Sequence, residues 1–274
     1  MLCCPLDQLP LTLTDRHARC ANGHHFDRSR EGYWPLLPAH FKRSRDPGDS
    51  RDMVRARGRF LDQGHYRALV NAMRTLLADA ELPIGQYVLD AGCGEGYYLH
   101  QLQQQLGWPA HQCVGMDISK WAVRDAAKRA SAITWVVGTN RQPPVAPASA
   151  RLLLCLFGFQ CYPAFHDVLA PGGELLLADP GPDHLLELRQ LLYAEVQHKP
   201  LPTAARAEAA GLEAVAQQRV RYRISLDAAA LADLALMTPH FFRANAERRA
   251  ALAKLESLSV QLDVVLHRLR RPAI

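Results

Sequence analysis

The sequence predicts an α/β fold: a largely parallel sheet covered on both faces by helices, preceded by a small appendage too short to build its own core. Three observations carry this. Short apolar runs near 86–91, 112–117, 133–137, 151–157 and 173–179 alternate with helical patterns, and such alternation gives parallel strands joined by crossover helices. Glycines occupy every second position after the first run, in Asp90-Ala91-Gly92-Cys93-Gly94-Glu95-Gly96. Residues 1–36 lack periodicity and are rich in Cys and His.

The appendage comes first. Cys4-Pro5-Leu6-Asp7 is followed by Cys20-Ala21-Asn22-Gly23-His24-His25, two short ligand-like knuckles with the spacing of a zinc site. A segment of this size gains from a metal the folding free energy that its core cannot supply. The usual first knuckle is C-x-x-C, and here Asp7 takes the second Cys position; Cys3 is the alternative ligand. Packing of Phe26, Tyr33 and Trp34 without metal is the competing reading. Residues 38–50, with Pro38, Pro47 and Gly48, read as an irregular linker. A helix is expected from Ser50, its N-cap, to Leu61, and a second from Tyr66 to Ala80 with Leu69, Met73, Leu76 and Leu77 on one face. The boundaries that follow are 1–37 for the zinc-ribbon-like domain, 38–65 for a basic linker and helix, and 66–274 for the α/β domain.

In the α/β domain the run ending at Asp90 is the first strand. Glycines directly after it let the backbone pass closely under a ligand and take φ values closed to other residues. The spacing is G-x-G-x-G, not the dinucleotide G-x-G-x-x-G. It resembles the opening of the S-adenosylmethionine (SAM) pocket in Rossmann-like class I methyltransferases. Gln112 to Asp117 is a second acid-ended strand, and Asp117 lies 23 positions beyond Gly94, where a carboxylate meets ribose hydroxyls in such folds; capping of the next helix suits the same residue. The strand from Ile133 ends at Thr139 and Asn140, on the adenine side by the same resemblance. The turn Leu169 to Gly173 leads into the fifth strand. A helix carrying Leu185, Leu188, Leu191 and Leu192 follows Pro182, and strands within 213–225 and 257–269 complete a seven-stranded sheet. The Ala-rich stretch 203–216 carries no readable chemistry.

Composition narrows the function classes. The chain has 274 residues, 49% hydrophobic, with net charge +5. No apolar run reaches the ~18 residues a spanning helix needs, and Asp7, Asp15 and Arg16 interrupt any signal-type core at the N-terminus. Seven scattered cysteines fit reduced thiols and a cytoplasmic location better than a disulfide framework. Charge is concentrated between Lys42 and Arg59. Lys42, Arg43, Arg45, Arg51, Arg55, Arg57 and Arg59 face only Asp46, Asp49 and Asp52 there, which suits a polyanion; a solvated helix face with internal pairs is the bland reading.

Several longer motifs resemble one family, the 23S ribosomal RNA (guanine-N1)-methyltransferases of RlmA type. They are Cys20 to Asp27, Glu31-Gly32-Tyr33, Lys42 to Ser50, Phe60 to Tyr66, Leu89 to Tyr98, Pro180 to Leu185 and Met237-Thr238-Pro239. The resemblance implies a class I SAM-dependent methyltransferase with an N-terminal zinc-finger-like domain for RNA recognition. It implies methylation of N1 of a guanine in a 23S rRNA hairpin near the peptide exit tunnel, and a homodimer with no membrane or DNA partner. Cys4, Cys20 and His24 then fall on zinc ligands, with Asp7 in place of the fourth, a Cys. Tyr66, Gly94, Glu95 and His184 fall on SAM contacts, joining Asp90, Gly92, Gly96, Asp117, Thr139 and Asn140. Lys42, Arg43, Arg45, Arg55 and Arg59 are the candidate RNA contacts. The stretch Cys155 to Pro163 departs from the superfamily's pattern after the fourth strand.

Guanine N1 must lose a proton before it attacks, and Asp179, Asp183 and His184 are the titratable groups near the strand ends; sequence assigns none as base. Phe157, Phe159, Phe241 and Phe242 are candidates for stacking on an extruded base, with core packing as their alternative. Two other functions stay open here: a SAM-dependent methyltransferase for a small molecule or protein, and a non-enzymatic RNA-binding protein with a vestigial SAM fold.

Overall fold

The computed structural model describes residues 2–42, 44–197 and 200–273. The N-terminal segment forms three very short antiparallel strands, β1 (Thr12–Leu13), β2 (His17–Arg19) and β3 (His25–Asp27), in the order β1-β2-β3. A fourth strand, β4 (Trp34–Pro35), leaves this ribbon.

Helix α1 (Arg51–Asp62) starts where expected, with the Ser50 hydroxyl accepting from the Met53 N–H at 3.3 Å. Helix α2 (Arg67–Leu76) ends four residues before the expected Ala80. There the chain turns, with the Ala80 N–H on the Leu77 carbonyl, and Asp79 pairs with Arg268 at 2.6 Å. The alternating unit runs β5 (Tyr87–Ala91), α3 (Tyr97–Leu106), β6 (Cys113–Asp117), α4 (Lys120–Arg129), β7 (Thr134–Val137), β8 (Ala150–Leu156), α5 (Tyr162–Val168) and β9 (Leu169–Pro180). Then come α6 (Leu186–Leu192), α7 (Ala205–Glu208), β10 (Glu213–Asp227), α8 (Ala228–Leu236), α9 (Pro239–Arg243), α10 (Ala246–Leu252) and β11 (Ser257–Arg270).

The main sheet has the order β10-β11-β9-β8-β5-β6-β7-β4. Strands β5 to β9 are parallel neighbours, and β10 and β11 close the sheet as an antiparallel pair. Seven strands were expected and the sheet has eight. The extra one is β4, which pairs in parallel with β7, Trp34 opposite Val136. Trp34 is 4% exposed and Leu36, 1% exposed, donates its N–H to the Val137 carbonyl. Burial of these two side chains anchors the ribbon to the sheet, and a two-residue strand is too short to show a period of two.

Trp135 of β7 explains two glycines. A Cβ at Gly115 would lie 2.1 Å from its ring, and one at Gly96 would lie 2.6 Å from it. The ring is fully buried and its indole N–H donates to the Ala130 carbonyl at 2.8 Å, so it cannot retreat. Gly115→Ala is therefore expected to destabilise the fold by about 1–3 kcal/mol or more through overpacking, seen as a lower denaturant midpoint with an unchanged slope.

Candidate cofactor cleft and metal cluster

A cleft of about 1210 Å³ opens at the carboxyl ends of β5, β6, β8 and β9. Open α/β sheets bind their ligands at this edge, where strand order reverses. The turn after β5 forms its floor. Gly92, Gly94 and Gly96 have φ of +104°, +56° and +80°, and the Gly92 and Cys93 N–H groups both donate to the Met116 carbonyl. Gly96 is held by two constraints, its left-handed backbone and the Trp135 ring.

Three carboxyl groups converge here. Asp117, at the end of β6, accepts from the Gly94 N–H at 3.0 Å and the Ser119 N–H at 2.8 Å. Asp90 is 1% exposed, and neither carboxylate oxygen has a hydrogen-bond partner; Glu95 is 3% exposed and one of its oxygens is likewise alone. Burial raises all three pKa values, and for Asp90 the neighbouring Asp117 and Glu95 raise it further. Buried acids without partners are costly unless a ligand completes them. A cationic ligand with hydroxyl groups fits this floor, and SAM carries a sulfonium, an ammonium and a ribose diol. Binding of such a cation restores the ionised carboxylates. SAM binding is therefore expected to release protons, and affinity to rise with pH until these groups ionise in the free protein. Calorimetry in buffers of different ionisation enthalpy measures that release; a buffer-independent heat would contradict it.

His184 and Tyr66 form the opposite wall. Tyr66 is 2% exposed, and its hydroxyl lies 3.5 Å from His184 Nε2. The Asp263 N–H donates to His184 Nδ1 at 3.3 Å, which assigns the imidazole proton to Nε2. Burial brings the His184 pKa down to about 4, so the ring is neutral at pH 7 and presents an N–H, not a base. Thr139 and Asn140 also line the cleft. The Asn140 amide donates to the Ala91 and Phe159 carbonyls at 3.1 and 2.7 Å, tying the end of β5 to the loop after β8. Of the four phenylalanines singled out in the sequence, Phe157 and Phe159 line the cleft. Phe159 is 63% exposed, with the Arg141 guanidinium over its ring. Phe241 packs against the main core. Asp179 accepts from the Gln160 amide at 2.8 and 3.0 Å.

The segment read as a linker is also a wall of this cleft. Ser44, Pro47, Gly48 and Asp49 line it. Gly48, at φ +84°, sits so close to Ile118 and Ser119 that a Cβ would come within 2.8 Å. The Ser119 hydroxyl donates to the Asp49 carbonyl at 2.7 Å, and Arg57 pairs with Asp49 at 2.5 Å. Arg57 also donates to the Met237 carbonyl and lies beside Glu95 and Asp117. Sequence counted Arg57 as one basic residue of seven; only its tertiary position sets it beside the cleft carboxyl groups of Glu95 and Asp117. Of the candidate RNA contacts, Lys42, Arg45 and Arg55 are exposed, and Arg43 lies outside the described residues. Arg59 makes a forked ion pair with Asp233 of α8.

The knuckle residues meet as the spacing anticipates. One ligand atom each from Cys4, Asp7, Cys20 and His24 lies within 4.8 Å of the others. His24 Nδ1 is 3.4 Å from both sulfurs and 3.0 Å from Asp7 Oδ2, which is 3.3 Å from the Cys20 sulfur. Zinc bonds of about 2.0–2.3 Å give a tetrahedron with edges of roughly 3.3–3.8 Å, so this donor set fits zinc. Cys3 stands outside the group, its N–H on the Pro144 carbonyl. All seven cysteines are free thiols.

Fold, cleft and cluster together define a class I SAM-dependent methyltransferase with an N-terminal zinc ribbon. Residues 2–45 match the model of the RlmA N-terminal zinc ribbon, and residues 88–173 match a methyltransferase domain. The 23S rRNA (guanine(748)-N(1))-methyltransferase of Streptomyces fradiae is 35% identical over 242 residues, covering 86% of this chain and 84% of its own. A Bacillus subtilis strain 168 protein, YxjB, provisionally assigned as a 23S rRNA (guanine-N(1)-)-methyltransferase, is 30% identical over 88% of this chain and 86% of its own. The chain belongs to the 23S rRNA (guanine-N1)-methyltransferase family. Among solved structures, one from the Haloferax volcanii complex of the Trm112 methyltransferase activator with a candidate methyltransferase superposes with TM-score 0.52. Its identity is 19%, over 84% of this chain and 99% of that one, which shows the fold. No helix among the described residues is long and apolar enough to cross a membrane.

Proposed function

We propose that this protein transfers the SAM methyl group to N1 of a guanine in 23S rRNA, in a hairpin near the peptide exit tunnel. The observation that carries the reading is the buried carboxyl oxygens of Asp90 and Glu95 left without a hydrogen-bond partner beside the glycine turn, in a chain similar to a family member over most of its length. SAM supplies an electrophilic methyl group on sulfur. The glycine turn, Asp90, Glu95 and Asp117 hold the donor, Thr139 and Asn140 border its adenine end, and Tyr66 and His184 close the opposite side. Holding donor carbon and acceptor nitrogen in line supplies much of the rate in a transfer of this kind.

His184 contributes a hydrogen-bond donor, because its Nδ1 is engaged by the Asp263 N–H. The N1 proton accordingly leaves by another path, through solvent at the mouth of the cleft. The exposed ring of Phe159 is placed to receive an extruded purine by stacking. Lys42, Arg45 and Arg55 supply phosphate contacts, and Arg59 serves chiefly to hold α1 against α8. The protein acts as a cytoplasmic homodimer in this reading.

The test is methyl transfer from labelled SAM to unmodified 23S rRNA transcript, with the product mapped to its nucleotide. A purine methylated at N1 is expected. An unlabelled transcript alongside a labelled metabolite or protein would overturn the reading.

A further inference from the structure

One surface outside the cleft combines an aromatic ring with more cations than the fold itself pairs. At the start of α4, Trp121 is partly exposed, and three cations gather on its ring. Lys120 Nζ lies 4.8 Å from the ring centroid, and the Arg124 and Arg51 guanidinium carbons lie at 5.7 and 5.8 Å. The carboxylates facing them are Asp46, paired with Lys120, and Glu31, 3.8 Å from Arg124. Arg51 is exposed and has no carboxylate partner among the described residues.

The location matters as much as the composition. Glu31 belongs to the ribbon, whereas Asp46 belongs to the segment that walls the cleft. The patch therefore bridges the ribbon and the segment that walls the cleft, and Lys42 and Arg45 of that segment are exposed as well. One aromatic ring cannot hold three cations at full strength, since each must share its faces. A ring flanked by cations with spare donors is how proteins grip single-stranded nucleic acid, the base on the ring and the phosphates on the cations.

We propose that Trp121, with Arg51, Lys120 and Arg124, forms a docking site for an unpaired nucleotide of the RNA substrate, outside the methyl-transfer cleft. The inference rests on the RNA-methylating function proposed above. In the bound complex a base lies on the Trp121 indole and its flanking phosphates pair with Arg51 and Arg124, so that the strand is held between ribbon and cleft.

The test measures binding of unmodified 23S rRNA transcript by the full-length, zinc-loaded protein at several salt concentrations, with SAM affinity followed in parallel by calorimetry. Trp121→Ala is expected to weaken RNA binding by about tenfold, and Trp121→Phe to restore most of it, because stacking needs a ring and not an indole. Arg51→Ala is expected to lower the slope of log affinity against log salt by about one. SAM affinity should stay unchanged in all three variants. A merely structural ring would instead show Trp121→Ala and Trp121→Phe alike, or SAM and RNA affinity lost together. Wild-type affinity for RNA in Trp121→Ala and Arg51→Ala overturns the site, while leaving the methyl-transfer function intact if the wild type still modifies the transcript. A wild type that neither binds nor modifies the transcript overturns the function itself.

Discussion

Asp117→Ala is expected to weaken SAM binding by about two orders of magnitude while leaving a folded protein. The Asp117 carboxylate accepts from the Gly94 and Ser119 N–H groups and so fixes both the glycine turn and the loop after β6, with its remaining lone pairs towards the cleft. Hydrogen bonds between a carboxylate and ribose hydroxyls contribute about 1.5–3 kcal/mol each, and ~2.7 kcal/mol corresponds to a hundredfold change in affinity. Two N–H groups lose their acceptor in the same variant; that of Gly94 lies at the cleft, where water can replace it, whereas that of buried Ser119 adds a stability cost. Asp117→Asn keeps one carbonyl acceptor and should fall between wild type and alanine. Calorimetric titration with SAM measures the effect, and thermal unfolding without SAM controls for stability. Near-wild-type affinity in the alanine variant would remove Asp117 from the cofactor site.

The contrast between Asp117 and Arg57 marks how far the sequence could be read. Asp117 ends an apolar run at a set distance from a glycine turn, so a local pattern marks a residue that the fold sets in the cleft. Arg57 sits on a helix among similar cations, and its partners Asp49 and the Met237 carbonyl are respectively local and 180 positions away. No local signal distinguishes it from Arg55. The strands from β5 to β11 were legible because each is a sustained apolar or alternating run. Strand β4 was not, because two residues carry no period and its pairing depends on where β7 lies. The cleft-forming side of residues 44–49 was hidden for a related reason. Its Pro and Gly do mark an irregular segment, but the close approach of Gly48 to Ile118 and Ser119 is a property of the assembled fold. The sequence singled out all four residues of the cluster that could hold a metal ion, because knuckle spacing is local; Cys3 drops out only in the assembled fold, where the grouped donor atoms do not include its sulfur.

Removal of zinc is expected to unfold the ribbon while the α/β sheet persists. Strands β1, β2 and β3 have two or three residues each, and the ribbon buries few side chains of its own. Structural zinc in comparable small modules contributes about 10–16 kcal/mol at neutral pH, far more than such strands can supply. Cys20→Ala removes a thiol of the candidate zinc cluster that touches Asp7 and His24. It should abolish stoichiometric zinc and open residues 5–30 to protease, with the fragment after about residue 36 remaining resistant. Its melting temperature should still fall, because Leu2, Trp34 and Leu36 belong to one of the two main core clusters. Asp7→Cys tests the unusual ligand directly. A thiolate is the commoner and softer donor in structural zinc sites, so this variant should hold zinc at chelator concentrations that strip the wild type. Against that gain, Asp7 Oδ1 accepts from the Leu9 N–H at 3.1 Å and Oδ2 from the Asn22 amide at 3.0 Å, bonds that a sulfur makes poorly. Tighter zinc with a slightly less stable knuckle is the expected balance. Full protease resistance of metal-free protein would show instead that packing and these hydrogen bonds hold the ribbon by themselves.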